Sequence, residues 1–258
     1  MKLIADSIHT EVLAQLNRLA QEQGVTIISA IESGSRAWGF PSPDSDYDVR
    51  FIYAHAPEWY IQLAPERDVI ELPVNAVLDI SGWDVRKAMQ LANQGNSVIQ
   101  EWLISPLVYQ EDTARVLALR QLVASTFSAK ATFHHYRAMA TGMITALDEP
   151  TIKLKRFFYI SRATLSALWV LQHHTMPTIV FPELLAALTD KAVMLQTFQH
   201  LIAEKAIKEE AEKTSIDPLC LTFIRDAYQT ILALDINSLP APRHSLDNTA
   251  LRQYLAPL

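Results

Sequence analysis

A chain of 258 residues, half of them apolar and only six of them glycine, can bury one large core or two smaller ones. Its net charge of −6 excludes indiscriminate nucleic-acid binding by the whole surface, yet residues 130–174 set six Lys or Arg against Asp148 and Glu149 alone, so a local basic face remains open. Cys220 is the single cysteine and sits in an apolar helical pattern with Leu219, Leu221, Phe223 and Ile224, which excludes an internal disulfide and predicts a buried thiol in place of a zinc cluster.

Following Asp6-Ser7, the residues Ile8, Val12, Leu16, Leu19 and Ala20 recur at helical spacing as far as Gly24 and predict an amphipathic helix. No stretch near the N-terminus resembles a signal-peptide core, and no run approaches the roughly 20 apolar residues of a membrane span, so the expectation is a cytoplasmic protein with no membrane partner. The β-branched run from Val25 to Ile31 reads as the first strand. Tyr47 to Tyr53 is the second, Val69 to Leu72 the third, and Ala76 to Ile80 the fourth, ended by Ser81-Gly82. Asp84 caps a helix to about Ala92, and Asn96-Ser97 opens a short one holding Glu101 and Trp102. Beyond Pro106 and Tyr109 the periodic segments are long and helical: about 112 to 127, 129 to 147, 151 to 174, 190 to 211 and 218 to 234. Pro150, Pro177, Pro182 and Pro218 punctuate them, and Pro240 to Pro242 leads to a last short helix capped by Asp247. The whole reads as an α+β chain with a domain over residues 1–110 and an all-α domain over 111–258.

Chemistry concentrates in Gly34-Ser35-Arg36-Ala37-Trp38-Gly39-Phe40-Pro41-Ser42-Pro43-Asp44-Ser45-Asp46-Tyr47-Asp48. Strand residues two apart share a face about 6 to 7 Å from each other, so Asp46 and Asp48 project together and repel unless a cation sits between them. Magnesium suits hard oxygen ligands and takes one or two carboxylates plus phosphates and water, which makes a nucleoside triphosphate the missing ligand. Gly34 and Ser35 offer backbone amides and a hydroxyl to its phosphates. No Gly-Lys-Ser/Thr follows, which excludes a Walker A loop, and the glycine spacing is not a dinucleotide fingerprint. A calcium loop fails on register, since Val49 would fall at the sharp-turn glycine and His55 at the bidentate glutamate. An acid between aliphatics, Asp79 in Val77-Leu78-Asp79-Ile80, is a third carboxylate, and such a triad has the makings of a two-metal site. Asp84 is its rival, read as a helix cap.

Gly34-Ser35, Gly39, Asp44-Ser45-Asp46-Tyr47-Asp48 and the separate Asp79 together resemble the polymerase-beta-type nucleotidyltransferase superfamily, and more narrowly the YcgL-like nucleotidyltransferases, some of them associated with RNA repair. Ile80-Ser81-Gly82-Trp83-Asp84, Glu101-Trp102-Leu103 with Ser105-Pro106, and Lys155-Arg156-Phe157-Phe158-Tyr159 with Arg162 extend the likeness over most of the chain. The resemblance implies a mixed sheet with flanking helices and an appended helical domain that completes a nucleotide cleft. It implies transfer of a nucleoside monophosphate with release of pyrophosphate, Asp46, Asp48 and Asp79 as metal ligands and catalytic carboxylates, and Gly34-Ser35 as phosphate contacts. Trp38 departs from it, standing where many minimal members carry arginine; Arg36 is the nearest replacement.

Lys155, Tyr159 and Arg162 fall at i, i+4 and i+7 on one helix face, and are read as nucleotide-binding residues. His134-His135 and His173-His174 point about 100° apart within each pair and are read as surface residues. Glu209, Glu210 and Glu212 beside Lys205, Lys208 and Lys213 form a solvated face. The expected mechanism has an acceptor hydroxyl attack the α-phosphate with Asp79 as general base, two Mg2+ ions or Mn2+ in their place, and an RNA end or a protein side chain as acceptor. A silent module binding nucleotides or RNA ends is the alternative.

Overall fold

The computed structural model describes residues 3–64, 66–73, 77–240 and 244–256. In chain order these fold as α1 (Asp6–Gln23), β1 (Thr26–Glu32), the single turn α2 (Gly34–Ala37), β2 (Tyr47–Ala54), β3 (Val69–Glu71), β4 (Leu78–Asp84), α3 (Val85–Asn93), α4 (Ser97–Leu103), β5 (Val108–Glu111), α5 (Thr113–Ser125) and α6 (Ala129–Met143). Then come α7 (Leu154–His173), α8 (Phe181–Leu188), α9 (Ala192–Lys205), α10 (Pro218–Leu232) and α11 (Asn248–Leu255). Contacts divide the chain into two compact units, Met1–Ala37, Asp46–Thr126 and Arg243–Leu258 in one, Trp38–Ser45 and Phe127–Pro242 in the other. Where the sequence suggested a single boundary near residue 110, α5 and α11 group with the first unit, and the short excursion Trp38–Ser45 groups with the second.

The first unit is built on a mixed sheet in the order β3-β4-β2-β1-β5. β2 runs antiparallel to β1 and parallel to β4, and the parallel register sets Asp48 opposite Asp79 and Phe51 opposite Gly82. Alternation along β2 sends Val49, Phe51 and Tyr53 to the face covered by α1, where they pack with Val12, Leu16 and Leu19. Ile52 and Ala54 go to the other face, against α3, α4 and α5. That second face is apolar at one end and charged at the other, because Asp48 and Arg50 share the parity of Ile52. Trp83 extends the apolar end by stacking on Trp102 at 3.9 Å between ring centroids.

Several elements differ from the sequence reading, among them the helix read over 190 to 211, which ends at Lys205. β4 continues through Ser81-Gly82 to Asp84, since the Phe51 ring covers Gly82 and supplies the packing the glycine lacks. The start of this strand as read, Ala76, lies outside the described residues. β5, unanticipated because four residues between Pro106 and Asp112 carry little pattern, closes the sheet beside β1. α8 begins at Phe181-Pro182, with proline in the first turn, where it serves as a start signal and not a stop.

The second unit is helical, apart from a two-residue pairing of Ile152-Lys153 with Lys213-Thr214. α7 is its axis. Phe157, Phe158, Ile160 and Leu165 face a cluster with α8, α9 and α10, while Ala163, Ala167 and Val170 pack against α6 and Tyr228. Phe40, from the excursion, is fully buried in the first cluster, stacked on Phe158 at 4.9 Å and edge-on to Phe181 at 5.8 Å. Cys220 is buried there too, as its pattern indicated, and burial pushes its thiol up to about 12. No described helix is long and apolar enough to cross a membrane.

A Cβ added at Gly82 would stand 2.3 Å from the Phe51 ring, on backbone held in two strand pairs. Gly82→Ala should therefore lower stability by about 1–3 kcal/mol in urea unfolding, and Phe51→Leu in the same chain should recover part of that loss. Additive losses would mean the ring and residue 82 are not in competition.

Candidate active site

β1 delivers the chain to Ser33-Gly34, and β2 and β4 deliver two aspartates beside that turn. Ser33 donates its N–H to the Asp48 carbonyl at 2.8 Å, which ties the turn to the first residues of β2. Gly34 has a φ of +63°, and a Cβ on it would lie 2.1 Å from Asp48 Oδ2, so both the conformation and the space demand glycine. Ser35 and Arg36 are buried in the turn that follows. Arg36 donates to the carbonyl oxygens of Asp46 and Leu3, both at 3.2 Å, and its guanidinium lies 3.8 Å from the Tyr47 ring centre. Arg36, read from the sequence as a nucleotide contact, ties the entry into β2 to the N-terminal segment through these bonds.

Asp48 and Asp79 are neighbours across the parallel β2/β4 seam, each about one-third exposed. Their like charges are reconciled by Arg50, whose Nη2 donates to Asp79 Oδ2 at 2.7 Å and to Asp48 Oδ1 at 3.2 Å. Its Nη1 donates to the carbonyls of Val49 at 3.0 Å and Asp79 at 2.9 Å. Asp46, one residue before β2, is exposed. Among the described residues no three His, Cys, Asp or Glu side chains converge at metal distance, so the expected triad presents itself as a bridged pair with Asp46 on its rim. The residues that could hold a magnesium ion are Asp46 and Asp48, whose carboxylate oxygens are hard donors, and the remaining ligands of such an ion are ordinarily phosphates and water.

Two further side chains shape this centre. Glu32, the last residue of β1 and fully buried, accepts the Asp48 N–H at 3.0 Å and the Tyr109 hydroxyl at 2.6 Å. Burial, reinforced by the Asp48 charge and opposed by those two hydrogen bonds, pushes its carboxyl up to about 7. Neither Glu32 nor Arg50 stood out in the sequence, although parity was the available signal: Glu32 ends an apolar run, and Arg50 continues the Asp46-Asp48 face. Asp84 is a cap, as read, accepting from the Arg86 N–H at 2.7 Å and from the Tyr60 hydroxyl at 2.8 Å, and burial pushes it up to about 6.

The second unit holds the remaining candidates. Lys155, in the first turn of α7, pairs with Glu210 at 2.6 Å. Glu210 also accepts from the Ser45 hydroxyl, while its N–H donates to Asp44, so this acid belongs to a defined network and not to a solvated face. Lys205 is buried beside it, donating to Ser42 Oγ at 2.5 Å, and burial pushes its amine down to about 8. Arg162 is buried with its guanidinium 4.1 Å from the Trp38 ring centre, and Tyr159 meets Trp38 edge-on at 5.2 Å. Trp38, the departure from the family pattern, thus serves as a platform for these α7 side chains.

Since Glu32 takes a proton in the folded state near pH 7 and near 4.5 when unfolded, stability falls as pH rises through this window. Between pH 6 and 8, above most of the Asp84 titration, the loss due to Glu32 is about 1.4 kcal/mol. Glu32→Gln keeps an acceptor for the Asp48 amide and should flatten the slope, read from urea midpoints at pH 6, 7 and 8. An unchanged slope would remove Glu32 as its source.

Residues 8–254 match the model of the RlaP family, described as the RNA repair pathway DNA polymerase beta family. A Bacillus subtilis (strain 168) protein called "Uncharacterized protein YcgL" is 38% identical over 222 residues, which span 86% of this chain and 85% of that one. Among solved structures, a nucleotidyltransferase-like protein from Exiguobacterium sibiricum aligns over 86% of this chain and 74% of its own, with 9% identity and a TM-score of 0.32. By the near-complete family match, with the YcgL likeness beside it, the chain belongs to the RNA repair pathway DNA polymerase beta family.

Proposed function

We propose that this protein transfers a nucleoside monophosphate from a nucleoside triphosphate to an acceptor hydroxyl, releasing pyrophosphate, with an RNA end as the acceptor and a divalent cation, magnesium or manganese, as cofactor. The observation that carries the reading is the Asp48–Asp79 pair held side by side next to Gly34, in a chain whose family is described by RNA repair. Asp46 and Asp48 would hold the metal. When bound, it would supply charge neutralisation on the triphosphate and acidify an adjacent hydroxyl.

The protein's own groups account for the rest. Gly34 and Ser35, opening a helical turn at the end of β1, present backbone amides of the kind that receive phosphate oxygens. Glu32 fixes the backbone of Asp48 from beneath, and Arg36 fixes the backbone of Asp46, so both carboxylates are positioned before substrate arrives. In the transfer, a new bond forms between the acceptor oxygen and the α-phosphorus, and the bond to the bridging oxygen of the pyrophosphate breaks. The hydroxyl proton passes to Asp79, on the carboxylate oxygen other than the one Arg50 holds.

Asp46→Asn with Asp48→Asn should lower turnover by roughly 100-fold or more while leaving the fold intact. The measurement is release of pyrophosphate from each of the four ribonucleoside triphosphates with Mg2+ and mixed RNA, alongside a thermal melt. Undiminished turnover in the double variant would reject the mechanism. Nucleotide binding without turnover in the unaltered protein would favour a silent binding module, and label appearing on protein in place of RNA would move the acceptor to a side chain.

A further inference from the structure

The centre carries a cation of its own. Arg50 lies two residues beyond Asp48 on the same face of β2, with its side chain 18% exposed and its guanidinium shared between the carboxylates of Asp48 and Asp79. The bonds to the main chain are decisive. Nη1 is anchored on the carbonyls of Val49 and Asp79, one from each strand of the seam. These two bonds do not depend on the charge of the carboxylates, so they hold the guanidinium in place whatever else approaches the acids. Arginine cannot shed its charge by losing a proton, and with one arm of its fork on the main chain the other, Nη2, reaches both carboxylates at once. A divalent cation bridging the same two aspartates would find one oxygen of each already held by Nη2, and would lie beside a fixed positive charge.

We infer that Arg50 stands in for one of the two metal ions: the centre takes a single divalent cation with its triphosphate, on the Asp46–Asp48 side, while the guanidinium supplies the second positive charge at Asp79. The inference rests on the metal-dependent reading above, and revises the two-ion expectation drawn from the carboxylate triad. It agrees with the absence of any convergent three-carboxylate group among the described residues. Arg50 is a positioning residue in this account, since it touches the carboxylates and not the reacting atoms.

Counting metal tests it without reference to turnover. The protein is equilibrated with Mn2+ and a non-hydrolysable nucleoside triphosphate, and the Mn2+ retained per retained triphosphate is read by electron paramagnetic resonance, with a thermal melt on each sample. The unaltered chain should retain one ion, Arg50→Lys one, and Arg50→Met two. Two ions in the unaltered chain overturn the inference and leave the metal reading standing. One ion in a folded Arg50→Met chain also overturns it, because something other than the guanidinium then excludes the second metal. Fewer than one Mn2+ per retained triphosphate in the unaltered chain overturns the metal reading, and the inference with it. Should Arg50→Met fail to fold, the count in the unaltered chain decides alone.

Discussion

The first unit depends on one pairing: β2 runs parallel to β4 with Asp48 level with Asp79. The apolar residues of the opposite parity, Val49 and Phe51 on β2 with Leu78 and Ile80 on β4, are buried against α1 and hold that register. A slip of one residue would turn those side chains to the wrong face, so the core enforces the juxtaposition of two acids that repel each other. The local structure follows from that conflict. Arg50 bridges the carboxylates, Glu32 receives the Asp48 amide, and Gly34 stays small enough to lie against an Asp48 oxygen. Hydrophobic packing thus supplies the energy that keeps a charged site assembled before any ligand is present.

In the second unit the basic groups of α7 and α9 have internal duties. Lys155 of α7 meets Glu210, Arg162 of α7 lies over Trp38, and Lys205 of α9 reaches Ser42. Each of these contacts involves the excursion Trp38–Ser45 or the chain that anchors it. The positive charge concentrated between residues 130 and 174 therefore has a structural use within this unit, in holding a short inserted segment that has no helix or strand of its own.

The sequence made the major elements legible because their signals are periodic and long. α1, α7 and α10 each repeat an apolar stripe over three or more turns, and β1 and β2 are β-branched or aromatic runs bounded by turn residues. The paired aspartates were legible for a different reason, because acids inside apolar strands contradict burial unless chemistry explains them. What escaped notice depends on tertiary partners. β5 is four residues long and gains its identity only by pairing with β1. Gly82 reads as a stop until the Phe51 ring is laid over it. The carbonyls of Leu3 and Asp46 that receive Arg36 are likewise invisible from its position in the turn. Glu210 looks like one more solvated acid, since its partners are some 55 and 165 residues away along the chain.

The excursion also limits how the protein can be divided. Residues 38–45 lie between the glycine turn and Asp46, so any fragment that keeps both halves of the candidate site also keeps Trp38 and Phe40. Cut after Thr126, such a fragment would present two large aromatic side chains stripped of the rings that surround them in the intact chain, Phe158 and Phe181 for Phe40 and Tyr159 for Trp38. The two units are each compact but interleaved along the chain, and a fragment carrying the candidate site would have to be redesigned at that loop before it was expressed.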